Sequence, residues 1–242
     1  MRAVTILGAR SDIAMACAHV FAAEGDQVTL AARQVETLQN AARDLELRHG
    51  GTVSLREFDV LDDTGLAAFV DGAEVPDVVI SAVGLLGDQT ADERNVEAAA
   101  RVMRSNFEGP ALVLGAYANA MEARGSGVIV GISSVAGDRG RATNYIYGSA
   151  KAGFTAFLSG LRNRLAGRGV HVVTVKPGFV ATKMTEHLDL PEKLTAAPEE
   201  VAQAVLKAVE KRRDVIYVRA IWRLVMGIIR LIPERVFKKL SI

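Results

Sequence analysis

Short β-branched or apolar runs recur along this chain, several of them continuous rather than alternating, each separated from the next by a longer stretch. They stand at residues 4–7, 27–31, 53–57, 78–82, 128–133, 170–175 and 215–218. A strand with one face in water alternates apolar and polar side chains, whereas a continuously apolar strand must be covered on both faces. Crossover helices on a parallel sheet give that cover. The segments 12–24, 35–49, 96–123, 147–167 and 199–211 carry Ala, Leu and charged residues at helix-compatible spacing. The pattern predicts an α/β fold with a doubly wound parallel sheet of about seven strands. No fixed-period repeat, low-complexity tract or long linker divides it, so one domain is expected over 1–218 with an appendage over 219–242.

Composition narrows the chemistry. Half of the 242 residues are hydrophobic and 24% are charged, which supports a core and excludes a disordered chain. The single cysteine, Cys17, forms no internal disulfide or thiolate metal site, and the four histidines show no metal-ligand spacing. Nine of the 29 basic residues but only two of the 28 acidic ones fall in 211–242, so the rest of the chain is mildly acidic. That body does not suit nucleic acid, while the basic, Ile- and Leu-rich end suits an anionic surface. Residues 1–7 are too short an apolar stretch for a signal peptide, and a cytoplasmic body is expected.

The first run ends in Gly8, followed by Arg10, Ser11, Asp12 and Ile13 and then a helix. A glycine there permits a tight turn and close approach to a pyrophosphate at the helix N-terminus, the Rossmann-type arrangement. Asp12 and Ala14 stand where a full glycine fingerprint has glycines; Ala14 still allows close packing. The Asp12 carboxylate would repel a phosphate unless Arg10 screens it or it points away. The second run ends at Ala32–Arg33 with no acidic residue for a ribose hydroxyl; Arg33, with Arg10, suits the 2′-phosphate of NADP(H). The alternative makes Arg33 a solvated helix-start residue.

Tyr147 and Lys151 are one helical turn apart, so they share a face, and an ammonium beside a phenol is expected to lower the phenol's pKa. With Ser134 thirteen residues before Tyr147, they resemble the active site of the short-chain dehydrogenase/reductase family. The resemblance covers residues 1 to about 185 in motif order, and Tyr145 is set aside because Ser149, not Lys, follows it by four. It implies Tyr147 as proton donor to a carbonyl oxygen, Ser134 as its hydrogen-bond partner and Lys151 on the nicotinamide ribose. Asn106 would order a water relaying protons to Lys151. Asp59 and Val60 would meet the adenine, and Ala82, Val83 and Gly84 would lie beneath the cofactor. The turn at 81–84 lacks the family's asparagines. Pro177, Gly178 and Val180 would form the loop under the nicotinamide, with Thr182 on its carboxamide or the pyrophosphate. Segment 183–188 would be the substrate lid, with His187 on its surface. A homodimer or homotetramer is implied through the helices at 96–123 and 147–167.

On a helix, Arg219, Arg223 and Arg230 fall within about 40° of one another, and the apolar residues from Trp222 to Ile232 spread over roughly 120–300°. Too short and interrupted to span a bilayer, residues 220–240 suit peripheral membrane contact; equally they suit a helix covering the substrate cleft or joining subunits. This ending also resembles the family branch that reduces decaprenylphosphoryl 2-keto sugars. The sequence therefore predicts an NADP(H)-dependent oxidoreductase interconverting a ketone and a secondary alcohol, on a lipid-linked or apolar substrate. The alternatives are a 3-oxoacyl-acyl-carrier-protein reductase, with Arg139, Arg141 or the tail docking the carrier, and a non-catalytic NADP-sensing regulator.

Overall fold

A computed structural model of the chain describes residues 1–186 and 188–240. Its elements run β1 Ala3–Leu7, α1 Asp12–Ala23, β2 Gln27–Ala32, α2 Gln39–His49, β3 Val53–Glu57, α3 Gly65–Asp71, β4 Val78–Ser81, α4 Gln89–Asp92 and α5 Val96–Met103. A π turn, Arg104–Glu108, leads into α6 Gly109–Arg124, β5 Gly127–Ile132, α7 Tyr145–Leu165 and β6 Val170–Pro177. After two-residue strands β7 Phe179–Val180 and β8 Thr195–Ala196 come α8 Pro198–Glu210, β9 Val215–Val218, α9 Ile221–Leu231 and α10 Glu234–Phe237.

Seven strands form one sheet in the order β3-β2-β1-β4-β5-β6-β9, every neighbouring pair parallel. The continuous apolar runs divide between two cores. In β1, Val4 and Ile6 join the layer of α1, α2 and α8, while Leu7 faces the layer of α3, α6 and α7. In β6, Val173 and Val172 divide the same way. Strand period two thus feeds both helical layers. Because the chain leaves β1 toward β2 on one side and returns at β4 on the other, a crevice opens at their carboxyl ends, where ligands bind in such sheets.

Three expectations from the sequence change. The helix expected over 96–123 is interrupted by the π turn that carries Asn106, and α3 and α4 are additional. The segment 35–49 begins as a 3-10 turn, Val35–Leu38, before α2. The tail is two short helices, because Pro233 lacks the N–H and the backbone freedom that a continuous helix would need.

The tail lies against the domain along only one edge of its apolar arc. Trp222, 4% exposed, and Met226 pack with Val135, Phe179 and Tyr217. Trp222 Nε1 donates to Leu194 O at 3.2 Å. Arg139 donates to the carbonyls of Ile229, Arg230 and Ile232 at 3.1, 3.2 and 2.6 Å. It also lies 3.9 Å from the Phe237 ring and pairs with Glu234 at 2.8 Å. The other edge, Ile221, Leu224, Ile228 and Leu231, faces outward, with Leu224 62% and Leu231 83% exposed. Among the described residues no helix is long and apolar enough to cross a membrane.

Candidate active site

Two adjoining cavities occupy the crevice. The first, of about 370 Å³, is lined by Gly8, Arg10, Ser11, Asp12, Ile13, Arg33, Asp59, Val60, Ala82, Val83, Gly84 and Thr182, all expected to hold a dinucleotide. Arg101 and Ser105 line it as well; nothing in their spacing pointed to it. The second, of about 540 Å³, brings together Ser134, Tyr147, Lys151, Pro177, Gly178 and Val180. Ser11, Ile13, Ala82, Val83, Gly84 and Thr182 belong to both walls. Asn106 lines neither cavity. His187, in the expected lid, lies outside the described residues.

At the first cavity, Gly8 has φ +82°, and a Cβ there would lie 2.9 Å from Val83 N. Glycine is therefore required both by the left-handed backbone and by the approach of the β4 turn. Ser11 caps α1 in extended conformation without using its side chain, which leaves the first amides of the helix for an anion. Asp12 has a partner within the chain. Its Oδ2 accepts from Lys183 N at 2.7 Å, tying the segment after β7 to α1. Arg10 donates to Gln34 at 3.2 Å, and Arg33 stands exposed at the rim. The Asp59 carboxylate accepts from Leu61 N at 3.0 Å, which fixes the turn after β3.

At the second cavity, Tyr147 and Lys151 occupy successive turns of α7, with Lys151 Nζ 5.7 Å from the Tyr147 ring centre. Lys151 Nζ donates to Ile132 O at 3.1 Å. Ser133, which sequence reasoning passed over, donates to Lys151 O at 3.1 Å and accepts from the Thr155 hydroxyl at 2.7 Å, pinning β5 to α7. Ser134 opens a short 3-10 turn, and its Oγ accepts from Ala136 N at 3.1 Å. Gly137 lets that turn lie on α7, since a Cβ would come 2.7 Å from Ala152 N. Asn106 Nδ2 donates to Leu85 O and Val102 O at 2.6 and 2.8 Å, and its Oδ1 accepts from Leu85 N at 3.2 Å. It thus fixes the turn beside Gly84, where a Cβ would approach Asn106 Oδ1 and Lys151 Nζ to 3.2 and 3.7 Å.

The expected lowering of the phenol's pKa is not what this environment produces. Burial pushes Tyr147 up to about 12, only partly offset by Ser134. Burial likewise brings Lys151 down to about 7. Both shifts have the same origin, the cost of charge away from water, and an ammonium weakened in this way gives the phenol little help. Tyr145, by contrast, points outward and donates to Glu93 at 3.4 Å. Arg139, considered for carrier docking, is committed to the tail carbonyls and Glu234.

The sequence pattern of the short chain dehydrogenases matches residues 2–193. An uncharacterized oxidoreductase of Mycobacterium tuberculosis is 35% identical over 241 residues, spanning 98% of this chain and 96% of that protein. Among solved structures, a short-chain dehydrogenase from Sphingobium yanoikuyae in complex with NADPH aligns with TM-score 0.83 at 24% identity, over 96% of this chain and 97% of that one. A variant of the actinorhodin polyketide ketoreductase with NADPH aligns with TM-score 0.77 at 26% identity, over 89% of this chain and 95% of that one.

Proposed function

This chain belongs to the short-chain dehydrogenase family of oxidoreductases, and from that premise we propose that it is an NADP(H)-dependent reductase of ketones bearing an apolar body. The observation that carries the reading is the convergence of Ser134, Tyr147 and Lys151 on one cavity wall that continues into the cavity rimmed by Arg10 and Arg33. Two arginines without an acidic residue at the ribose position favour a 2′-phosphate, and the open amides of α1 suit a pyrophosphate. The ketoreductase relative with NADPH agrees with this cofactor. Bound in the crevice, the reduced nicotinamide supplies hydride to the carbonyl carbon. Tyr147 gives its proton to the carbonyl oxygen, and Ser134 donates a hydrogen bond to that oxygen. Lys151 would hold the nicotinamide ribose. Asn106 is a positioning residue for the turn at Gly84 and Leu85.

Burial keeps the phenol protonated through neutral pH, so it is loaded to give a proton to a carbonyl oxygen. Leu86, Val135, Ile146, Phe179 and Met184 give the second cavity its apolar surface. The outward stripe of α9, flanked by Arg230, Arg235, Lys238 and Lys239, supports peripheral contact with an anionic bilayer by the 219–242 appendage. Exposed Met103, Phe107 and Leu112 near the start of α6 support a homo-oligomer.

NADPH and NADH titrations by cofactor fluorescence, followed by NADPH consumption with a ketone panel, test the reading. Tighter binding of NADPH, and loss of turnover by about 10²–10⁴-fold in Tyr147→Phe with cofactor affinity kept, are expected. Preference for NADH, or full turnover by Tyr147→Phe, would overturn it. Binding of NADPH without turnover of any ketone would favour a sensor instead.

A further inference from the structure

The substrate cavity contains polar groups that the reduction itself does not use. Arg141 lies on the segment between Ser134 and Tyr147, half-buried in the cavity wall, and its Nε is buried without a hydrogen-bond partner among the described residues. Burial holds the guanidinium below its ordinary pKa, and no acidic side chain counters that shift. Gln89 stands in the same wall. Its Oε1 accepts from Ile146 N at 3.1 Å, which fixes the orientation of the amide, and its Nε2 is buried with no acceptor. Asp88 and Asp92 also line the cavity, but Asp88 accepts from Thr90 N and Ala91 N at 2.9 and 3.1 Å, and Asp92 from Asp88 N at 3.0 Å. Neither forms an ion pair with Arg141 among the described residues. Asn144 Oδ1, likewise unpartnered, stands toward Gly148 at the start of α7 and is an acceptor, of no use to an anion.

The guanidinium is half-buried in the cavity wall and no carboxylate pairs with it among the described residues, so a counterion brought by the ligand would satisfy it. We infer that the substrate carries an oxyanion, a carboxylate or a phosphate, remote from its carbonyl, and that Arg141 receives it with the Gln89 amide alongside. The inference rests on the reductase reading and refines its substrate class. The apolar surface near Tyr147 then holds the body of the molecule, and Arg141 sets its register so that the carbonyl meets the phenol.

The test uses the full chain with paired probes that differ only in charge. One series runs from 4-oxopentanoate to 8-oxononanoate, each against its methyl ester; the other pair is dihydroxyacetone phosphate against dihydroxyacetone. Initial rates of NADPH oxidation are measured for the native chain, Arg141→Met, Arg141→Lys and Gln89→Ala. A charge-assisted hydrogen bond corresponds to about ten- to a hundred-fold in kcat/KM. The native chain is expected to favour the charged member of one series by at least that lower factor. In Arg141→Met the charged-to-neutral ratio falls to about one, chiefly through KM, and Arg141→Lys recovers part of it. The series that shows the preference tells carboxylate from phosphate. Binding of the same probes to NADPH-loaded Tyr147→Phe, followed by cofactor fluorescence, gives a readout independent of turnover. NADPH consumed with equal preference for charged and neutral members, or a ratio unchanged in Arg141→Met, overturns the inference and leaves the reductase reading standing. No consumption with any ketone, together with charge-selective binding lost in Arg141→Met, overturns the reductase reading and leaves the oxyanion site. No charge-selective binding in either readout overturns the site.

Discussion

Substituting Gly178 by Ala probes whether the tail is part of the folded domain. The backbone at Gly178 is not in the left-handed region, so the cost of a methyl group arises from contact alone. A Cβ there would lie 1.8, 2.1 and 2.4 Å from Trp222 Nε1, Cε2 and Cδ1. Ordinary carbon contacts are about 3.5–4.0 Å, so the indole must withdraw by roughly 1.5–2 Å. Withdrawal breaks its hydrogen bond to Leu194, about 1 kcal/mol, and its edge-on contact with Phe179, about 1 kcal/mol. It also exposes part of a side chain whose complete removal costs about 3–5 kcal/mol. A loss of about 3 kcal/mol is expected, which lowers the Tm of a chain this size by roughly 6–12 °C. Circular dichroism melting measures the stability, and emission of Trp222, the single tryptophan in the sequence, reports its exposure through a red shift. In a Trp222→Ala background the same Gly178→Ala change should cost less than about 0.5 kcal/mol, because the colliding ring is gone. Unchanged emission and Tm in Gly178→Ala, or an undiminished cost in the Trp222→Ala background, would refute the packing argument.

Two further outcomes follow from buried charge. Asp138 pairs with Lys176, both nearly inaccessible, and accepts from the Tyr217 hydroxyl at 2.9 Å, fastening the segment after Ser134 to β6 and β9. Asp138→Asn should lose about 3–5 kcal/mol in urea unfolding, and adding Lys176→Met should recover part of it; additive losses would speak against a coupled pair. Lys151 titrates at about 7 when folded and near its ordinary 10.5 when unfolded, so between these values the unfolded chain binds more protons. Stability relative to Lys151→Met should therefore rise as pH increases from about 7 toward 10.5, with the full penalty retained below 7; a urea midpoint difference that falls over that range would contradict the burial argument.

Local chemistry made the sheet and the catalytic spacing readable from sequence. The continuous apolar runs of the inner strands needed cover on both faces, and Tyr147 and Lys151 share a helix face by periodicity alone. What stayed hidden depends on distant partners. The partner of Asp12 is the backbone amide of Lys183, remote in sequence. The phenol's shift depends on burial, which four-residue spacing does not encode. The π turn at Arg104–Glu108 leaves no mark in composition, and the seven-residue α3 is too short for helical periodicity to declare itself. The tail's amphipathic arc was visible, but its division into a docked edge and an outward edge required knowing that Gly178 leaves room for Trp222. Arg141 and Gln89 differ in the same way: neither residue type signals an unpaired donor until the neighbours around it are fixed.

Arg139 joins parts of the molecule that would otherwise move independently. A single guanidinium holds the last carbonyls of α9 and the face of Phe237, and it stands five residues after Ser134 and two before Arg141. Lifting the C-terminal helices off the domain would therefore strip this side chain of its acceptors and free the loop that follows Ser134. The last two helices and the loop after Ser134 thus share one anchor, so neither can shift without the other giving up hydrogen bonds.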